Sequence, residues 1–292
     1  MQIVTQLMNG LQLGSIYALV ALGYNMVYGI IKLLNFAHGD VIMVGGYIAL
    51  FSLTFGLNPV LASLLTVAGC TLLAVIIEKL AYKPLRFAPR LSLLITAIGV
   101  SILLQNLAQR LFSAGGRVFP NRLLFPDGNL VLGGVSLAYT SLITIIASVV
   151  SMVLLLLLVK KTKLGKAMRA VSEDQGAAQL MGVNVNNIIT FTFALGAALA
   201  GIGALMYAVR FPLIGPTIGA MLGLKAFVAA VCGGIGSIPG AMLGGFAIGL
   251  LEMFVIAVGL SRWVDGVVFL VLICVLMLRP TGFMGRNLME KV

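Results

Sequence analysis

Long apolar runs alternate with short polar interruptions along almost the whole chain. The runs cover residues 11–31, 36–55, 60–78, 91–111, 136–159, 187–209, 239–259 and 264–279. An α-helix needs about 20 mainly apolar residues to cross the hydrocarbon core of a bilayer. One further run, 222–234, has only 13 residues and ends in Gly233-Gly234-Ile235-Gly236. The pattern predicts an all-α polytopic membrane protein with eight full spanning segments, plus a half-helix or a short ninth pass. It reads as one transmembrane domain over 1–292, with a polar loop at about 160–186.

That loop is the longest polar interruption. Ser172 followed by Gln175 has the form of a capping box, which predicts a short helix starting after Ser172. Glu173 and Asp174 then occupy its first turn, where negative charge suits the helix dipole. Ala177, Ala178, Leu180 and Met181 supply helical propensity and a small apolar face. Gly182 ends the helix by adopting a left-handed conformation.

Two glycine-rich stretches break the apolar pattern. In the first, 32–47, the residues Asn35, His38, Gly39 and Asp40 interrupt the run between the first two segments. The second, 211–245, contains Pro212, Gly215, Pro216, Gly233, Gly234, Gly236, Ser237 and Pro239. Proline lacks the amide proton a continuous helix needs. Unpaired backbone at membrane depth is tolerated only against protein or a water-filled cavity. Broken helices in both halves therefore point to a transport pathway. The plainer alternative is two connecting loops whose glycines serve tight packing.

Composition agrees with the pattern: 61% of residues are hydrophobic, 9% are charged, and mean hydropathy is +1.14. A soluble domain carries roughly 25% charged residues. The net charge of +11 does not imply nucleic acid, because the basic residues cluster between apolar runs. Residues 79–90 carry Lys79, Lys83, Arg86 and Arg90, and residues 160–169 carry Lys160, Lys161, Lys163, Lys166 and Arg169, with no acid in either loop. Two crossings separate these loops, so both fit the cytoplasmic side. The loop 112–135 then lies outside as an irregular connection, and the first run is a retained helix with its start outside. Arg279, Arg286 and Lys291 against Glu290 favour a cytoplasmic tail, which requires nine crossings. A re-entrant 222–234 would move that tail outside.

Candidate chemistry is sparse. No Walker A pattern occurs, and the GGIGSIPG stretch follows no strand. Cys70, Cys232 and Cys274 have no metal-ligand spacing, and His38 is the single histidine, so no metal site is expected. Glu252 lies within an apolar run, where an acid is expensive and often functional. Its bland reading is pairing with a nearby cation. His38 reads as a structural, hydrogen-bonded residue or, through nearby Asp40, as a titrating one.

Three blocks, taken in order, carry a family resemblance: GSIYALVALGYNMVYGIIKLLNFAHGDVIMVGGY, GKAMRAVSEDQGAAQLMGVNV and AFVAAVCGGIGSIPGAMLGGFAIGLLE. The chain resembles the permease subunits of bacterial branched-chain amino acid ABC importers, the LivH-like group, over nearly its whole length. The resemblance implies an inner-membrane, non-enzymatic subunit of an ATP-driven importer. It implies as partners a second related permease, two cytoplasmic ABC ATPases, a periplasmic amino-acid-binding protein and the lipid bilayer, with no nucleic acid. No cofactor is expected in this chain, ATP and magnesium being used by the ATPases. The loop matching Gly165–Gly182 is then the element that couples to an ATPase, with Gly165, Arg169, Ser172, Glu173, Asp174, Ala177, Ala178 and Gly182 as its residues. Asn35, His38, Gly39, Asp40, Gly215, Pro216, Gly233, Gly234, Gly236, Ser237 and Glu252 are the pathway candidates. Alternatives are an ABC permease for urea, an amide or a sugar, and an ion-coupled secondary transporter.

Overall fold

In the computed structural model of the chain, residues 2–32, 35–86, 88–124, 128–132 and 135–285 are described. The tail charges Arg286, Glu290 and Lys291 lie outside the described residues. The helices are α1 (Gln2–Ile31), α2 (His38–Thr54), α3 (Pro59–Ile77), α4 (Arg90–Phe112), α5 (Asn121–Leu124), α6 (Tyr139–Lys161), α7 (Lys163–Glu173), α8 (Gln175–Leu180), α9 (Val185–Arg210), α10 (Ile218–Gly233), α11 (Ile238–Ala257) and α12 (Val264–Leu278). The strands are β1 (Arg117–Val118), β2 (Asn129–Leu132), β3 (Val135–Ala138) and β4 (Leu213–Ile214). Among the described residues, seven helices are long and apolar enough to span a bilayer, while α2 and α10 are apolar but shorter. The chain is thus an all-α polytopic protein.

α1 is the axis of the bundle. Its most apolar window is 83% buried inside the protein, against 17% for α4, 22% for α6 and 11% for α12. The latter three expose rows of Leu, Ile and Val on the perimeter, as lipid-facing helices do. α1 runs antiparallel to α11, with Gly10 against Leu250, Gly14 against Phe246 and Ala18 against Gly245. Small residues four apart on both helices let the backbones touch, so that a Cβ on Gly249 would overlap the Gly14 backbone. In lipid this close packing replaces the hydrophobic drive that water would provide.

α9 is also antiparallel to α1, Gly196 lying beside Gly23 and Gly203 beside Val20. The start of α9 meets the end of the third span, where Arg86 donates to Asn186. Both basic loops therefore sit at one end of the bundle, the basic end. At the opposite end β1 pairs with β4 and β2 with β3, so the connection expected to be irregular at 112–135 contains a hairpin and the helix α5.

α10 and α11 form a hairpin in which Gly233 faces Gly240 and Ala229 faces Gly244. α10 starts after β4 and ends at a turn beside Asn25 of α1, toward the basic end. It is the short apolar segment between β4 and the α10–α11 turn. The chain after α12 returns to this turn, where Phe283 N donates to Cys232 O at 2.9 Å and Met284 N to Gly233 O at 3.0 Å.

Three boundaries differ from expectation for physical reasons. α2 starts at His38 rather than 36, because Asn35 accepts the Ala37 amide and turns the chain there. The 60–78 run continues past its apolar end as a π-helical turn, Glu78–Tyr82, and a 3-10 turn, Lys83–Leu85. α6 starts at Tyr139 because β3 takes the preceding residues.

Candidate functional site

The polar loop folds as two helices, not one. Thr162 caps α7, accepting from Gly165 N at 2.9 Å. Gly165, Met168 and Val171 form the buried face of α7, which packs on α1, α6 and α9. Lys166, Arg169 and Glu173 point outward. The expected capping box does not form. Ser172 lies inside α7, and its hydroxyl donates to Arg169 O at 2.7 Å. Glu173 is the last residue of α7 rather than part of a first turn. Asp174 breaks the helix and caps α8, its carboxylate accepting from Ala177 N at 3.0 Å. A carboxylate at a helix start satisfies an orphan amide and meets the positive dipole end.

Gly182 does end the element left-handed, at φ +83°. Gly182 N bonds Gln179 O and Val183 N bonds Ala178 O, each at 3.0 Å, a complete Schellman arrangement. The expected apolar face is only partly buried. Ala178 is buried and Ala177 exposed, while Leu180 and Met181 are 91% and 84% exposed. Two large apolar side chains thus stand out from the tip of a rigid element.

The first glycine-rich break forms a buried polar group. Asn35 accepts from Tyr82 O–H at 2.7 Å. His38 lies edge-on to Tyr24 with ring centroids 4.9 Å apart, and its Nε2 has no hydrogen-bond partner among the described residues. Asp40 is buried and accepts from Ser101 O–H and from Gln105 Nε2 at 3.0 Å. Gly39 meets Gly219 of α10 so closely that a Cβ on either would overlap the other's carbonyl. The two broken helices therefore start against each other.

The second break is held at both ends. Gly215 and Pro216 connect β4 to α10 beside Gly116. Gly233, Gly234, Gly236 and Ser237 make the α10–α11 turn, with φ +113° at Gly234 and +87° at Gly236, and Ser237 caps α11. Asn25 clamps the turn, donating to Ser237 O at 3.0 Å and accepting from Gly236 N at 3.1 Å. Sequence reasoning missed Asn25; the signal available was one amide inside an apolar run.

Glu252 stands apart from these groups. Its Oε1 lies 3.0 Å from Lys225 Nζ and accepts from Tyr17 O–H at 3.0 Å. Lys225 also pairs with Asp265 at 2.7 Å. Glu252 thus has a nearby cation, and the cluster of Tyr17, Lys225, Glu252 and Asp265 links α1, α10, α11 and α12. A small cavity of about 10 Å³ lies between α1, α9 and the third span near Asn35 and Tyr82. At the opposite end a groove of about 310 Å³ is walled by Tyr47, Phe51, Phe55 and Phe112.

Residues 6–276 match the family described as branched-chain amino acid transport system / permease component. The chain belongs to this family. It is 44% identical to the high-affinity branched-chain amino acid transport system permease protein BraD of Pseudomonas aeruginosa, over 98% of this chain and 97% of that one. It is 40% identical to the corresponding LivH protein of Escherichia coli K12, over the same shares. Among solved structures it is similar to PsaBC from Streptococcus pneumoniae in complex with Fab, at TM-score 0.50 and 18% identity, covering 94% of this chain and 91% of that chain. A structure described as a metal-chelate type ABC transporter in an inward-facing conformation gives TM-score 0.52 at 17% identity, over 92% and 84%. These structures share the fold. As a member of the permease family the protein is a multi-pass inner-membrane transport subunit and not an enzyme.

Proposed function

We propose that this permease imports branched-chain or other hydrophobic amino acids as one half of an ATP-driven transporter. A periplasmic binding protein delivers the substrate, a second related permease completes the pathway, and two ATPases using ATP and magnesium bind the basic end. That end faces the cytoplasm, because Lys and Arg are retained there, and nine crossings leave the start of α1 outside. The observation that carries the reading is the α7–α8 element. Its inner face grips α1, α6 and α9, while its tip offers Leu180 and Met181 to a partner. ATPase closure pushes this rigid element, and the push reaches the central helices directly. The pathway runs past the junction of α2 and α10 around Asn35, His38, Gly39 and Asp40, and past the clamped Gly233–Ser237 turn. Glu252 contributes through its ion pair to the packing beside that pathway. Pairing with Lys225 also leaves Glu252 less suited to bind a coupling ion, as a carrier driven by an ion gradient would need.

Affinity purification from native membranes in a gentle detergent, followed by mass spectrometry, tests the assembly. A second permease of the family and ABC ATPases are expected to co-purify. Changing Leu180→Glu together with Met181→Glu is expected to lose the ATPases at least ten-fold while leaving the permease folded. Recovery of the chain alone, still transporting in liposomes under an ion gradient without ATP, would overturn the proposal.

A further inference from the structure

We infer that the π-helical extension of the third span, residues 78–86, is the gate at the basic end of the pathway, with the Tyr82–Asn35 hydrogen bond as its latch. α3 does not stop at its apolar boundary. It widens into a π-turn over Glu78–Tyr82 and closes with a 3-10 turn over Lys83–Leu85. Single π-turns inside helices are uncommon and redirect the side chains that follow. Here the redirected side chain is Tyr82, which is buried, packs on Phe193 of α9 at 5.4 Å between ring centroids, and donates to Asn35 at 2.7 Å. Asn35 is the residue whose side chain also accepts the Ala37 amide and so sets the start of α2. One hydroxyl therefore joins the third span to the start of the broken helix whose Gly39 meets α10.

The other end of the segment is tied to the α7–α8 element. Glu78 is wholly buried. It accepts from Arg86 and, on its second oxygen, from Thr190 O–H at 2.8 Å. Arg86 also donates to Asn186. Asn186 and Thr190 lie in the first two turns of α9, which follows α8 after Gly182 and the Asn184 cap. A displacement of α8 thus pulls on α9, on Glu78 and Arg86, and through the π-turn on Tyr82. A buried ion pair with added hydrogen bonds has a strong geometric preference, because a lost partner leaves a charge unpaired. That suits an element with two discrete positions.

The third observation is the space behind the latch. The cavity of about 10 Å³ is lined by Val27, Ile31, Asn35, Tyr82, Leu93 and Phe193, among others. It has room for about one water, so there is little open space behind the latch while Tyr82 holds Asn35. Its lining joins the latch residues to apolar side chains from α1, α4 and α9, the surface that separation of Tyr82 from Asn35 would widen.

The latch itself stands on these contacts, whereas what moves it rests on the coupling role proposed for α7–α8, and one experiment separates the two. Val27→Cys is introduced into the assembled transporter in a Cys274→Ser background, since Cys274 is the exposed cysteine among the described residues. Labelling by a membrane-impermeant maleimide is followed in inverted vesicles. With Tyr82 intact, labelling is slow. Tyr82→Phe keeps the ring and removes only the hydroxyl, and is expected to speed labelling at least five-fold and to lower substrate imported per ATP hydrolysed. Asn35→Leu, which also removes the acceptor of the Ala37 amide, is expected to speed labelling at least as much, and adding Tyr82→Phe to it is expected to change nothing further, since the hydroxyl has already lost its partner. A merely structural contact would change expression without changing labelling in the surviving protein. Unchanged labelling in an assembled Tyr82→Phe transporter overturns the gate. Labelling raised by Tyr82→Phe but insensitive to a non-hydrolysable ATP analogue keeps the gate and overturns the coupling reading.

Discussion

Lys225 and Glu252 face each other across the α10–α11 hairpin at 3.0 Å. Removing one partner of such a buried pair strands a charge, at a cost on the order of 3–5 kcal/mol, whereas replacing both with neutral groups of similar size is close to neutral. Lys225→Met is therefore expected to lower the melting temperature in detergent sharply. Lys225→Met combined with Glu252→Gln is expected to recover most of the loss. A single variant as stable as the unmodified protein would show that Tyr17 alone satisfies Glu252.

Asp174, not Ser172, starts α8. Asp174→Ala removes the cap on the Ala177 amide and is expected to weaken α8 locally by about 1 kcal/mol. Faster amide hydrogen exchange across Gln175–Leu180 is the readout. Asp174→Asn keeps an accepting oxygen and stays near the original rate. Ser172→Ala leaves α8 exchange unchanged, because its hydroxyl bonds only within α7. Equal effects of the two alanine variants would reject this assignment.

Gly39→Ala places a methyl into the Gly219 carbonyl, where backbone meets backbone and no flexible side chain can yield. Loss of folded protein from the membrane is expected, scored by fluorescence-detected size exclusion. Gly99→Ala, on the exposed face of α4 with open space around it, is the matched control. It is expected to be neutral or to gain a few tenths of a kcal/mol, since alanine favours a helix over glycine. Normal yield of Gly39→Ala would remove the close α2–α10 junction from the fold.

Much of this architecture was legible in the chain. The apolar runs marked the spans because a bilayer admits little else. The basic loops fell at one end because two spans separate them. The left-handed Gly182 was readable because few residues other than glycine adopt that conformation cheaply. The Ser172 cap was misread because Ser-x-x-Gln and an Asp two residues on compete for the same helix start, and a pattern does not say which wins. Leu180 and Met181 read as part of a small apolar face, and helical periodicity does not say which way such a face points; the structure turns both side chains outward.

The sequence by itself determined the solvent this protein lives in, the placement of its long helices, the end that carries positive charge, and a family resemblance. The first three follow from local composition and periodicity, and the resemblance from three sequence blocks in order. Only the tertiary structure decided the partners: Asn25 with the Gly233–Ser237 turn, Gly39 with Gly219, Tyr82 with Asn35, Arg86 with Asn186 and Glu252 with Lys225. Those pairs lie 27 to 212 positions apart. They arise because small residues allow helix backbones to touch, and each buried polar group must find its partner among whichever side chains that contact brings near.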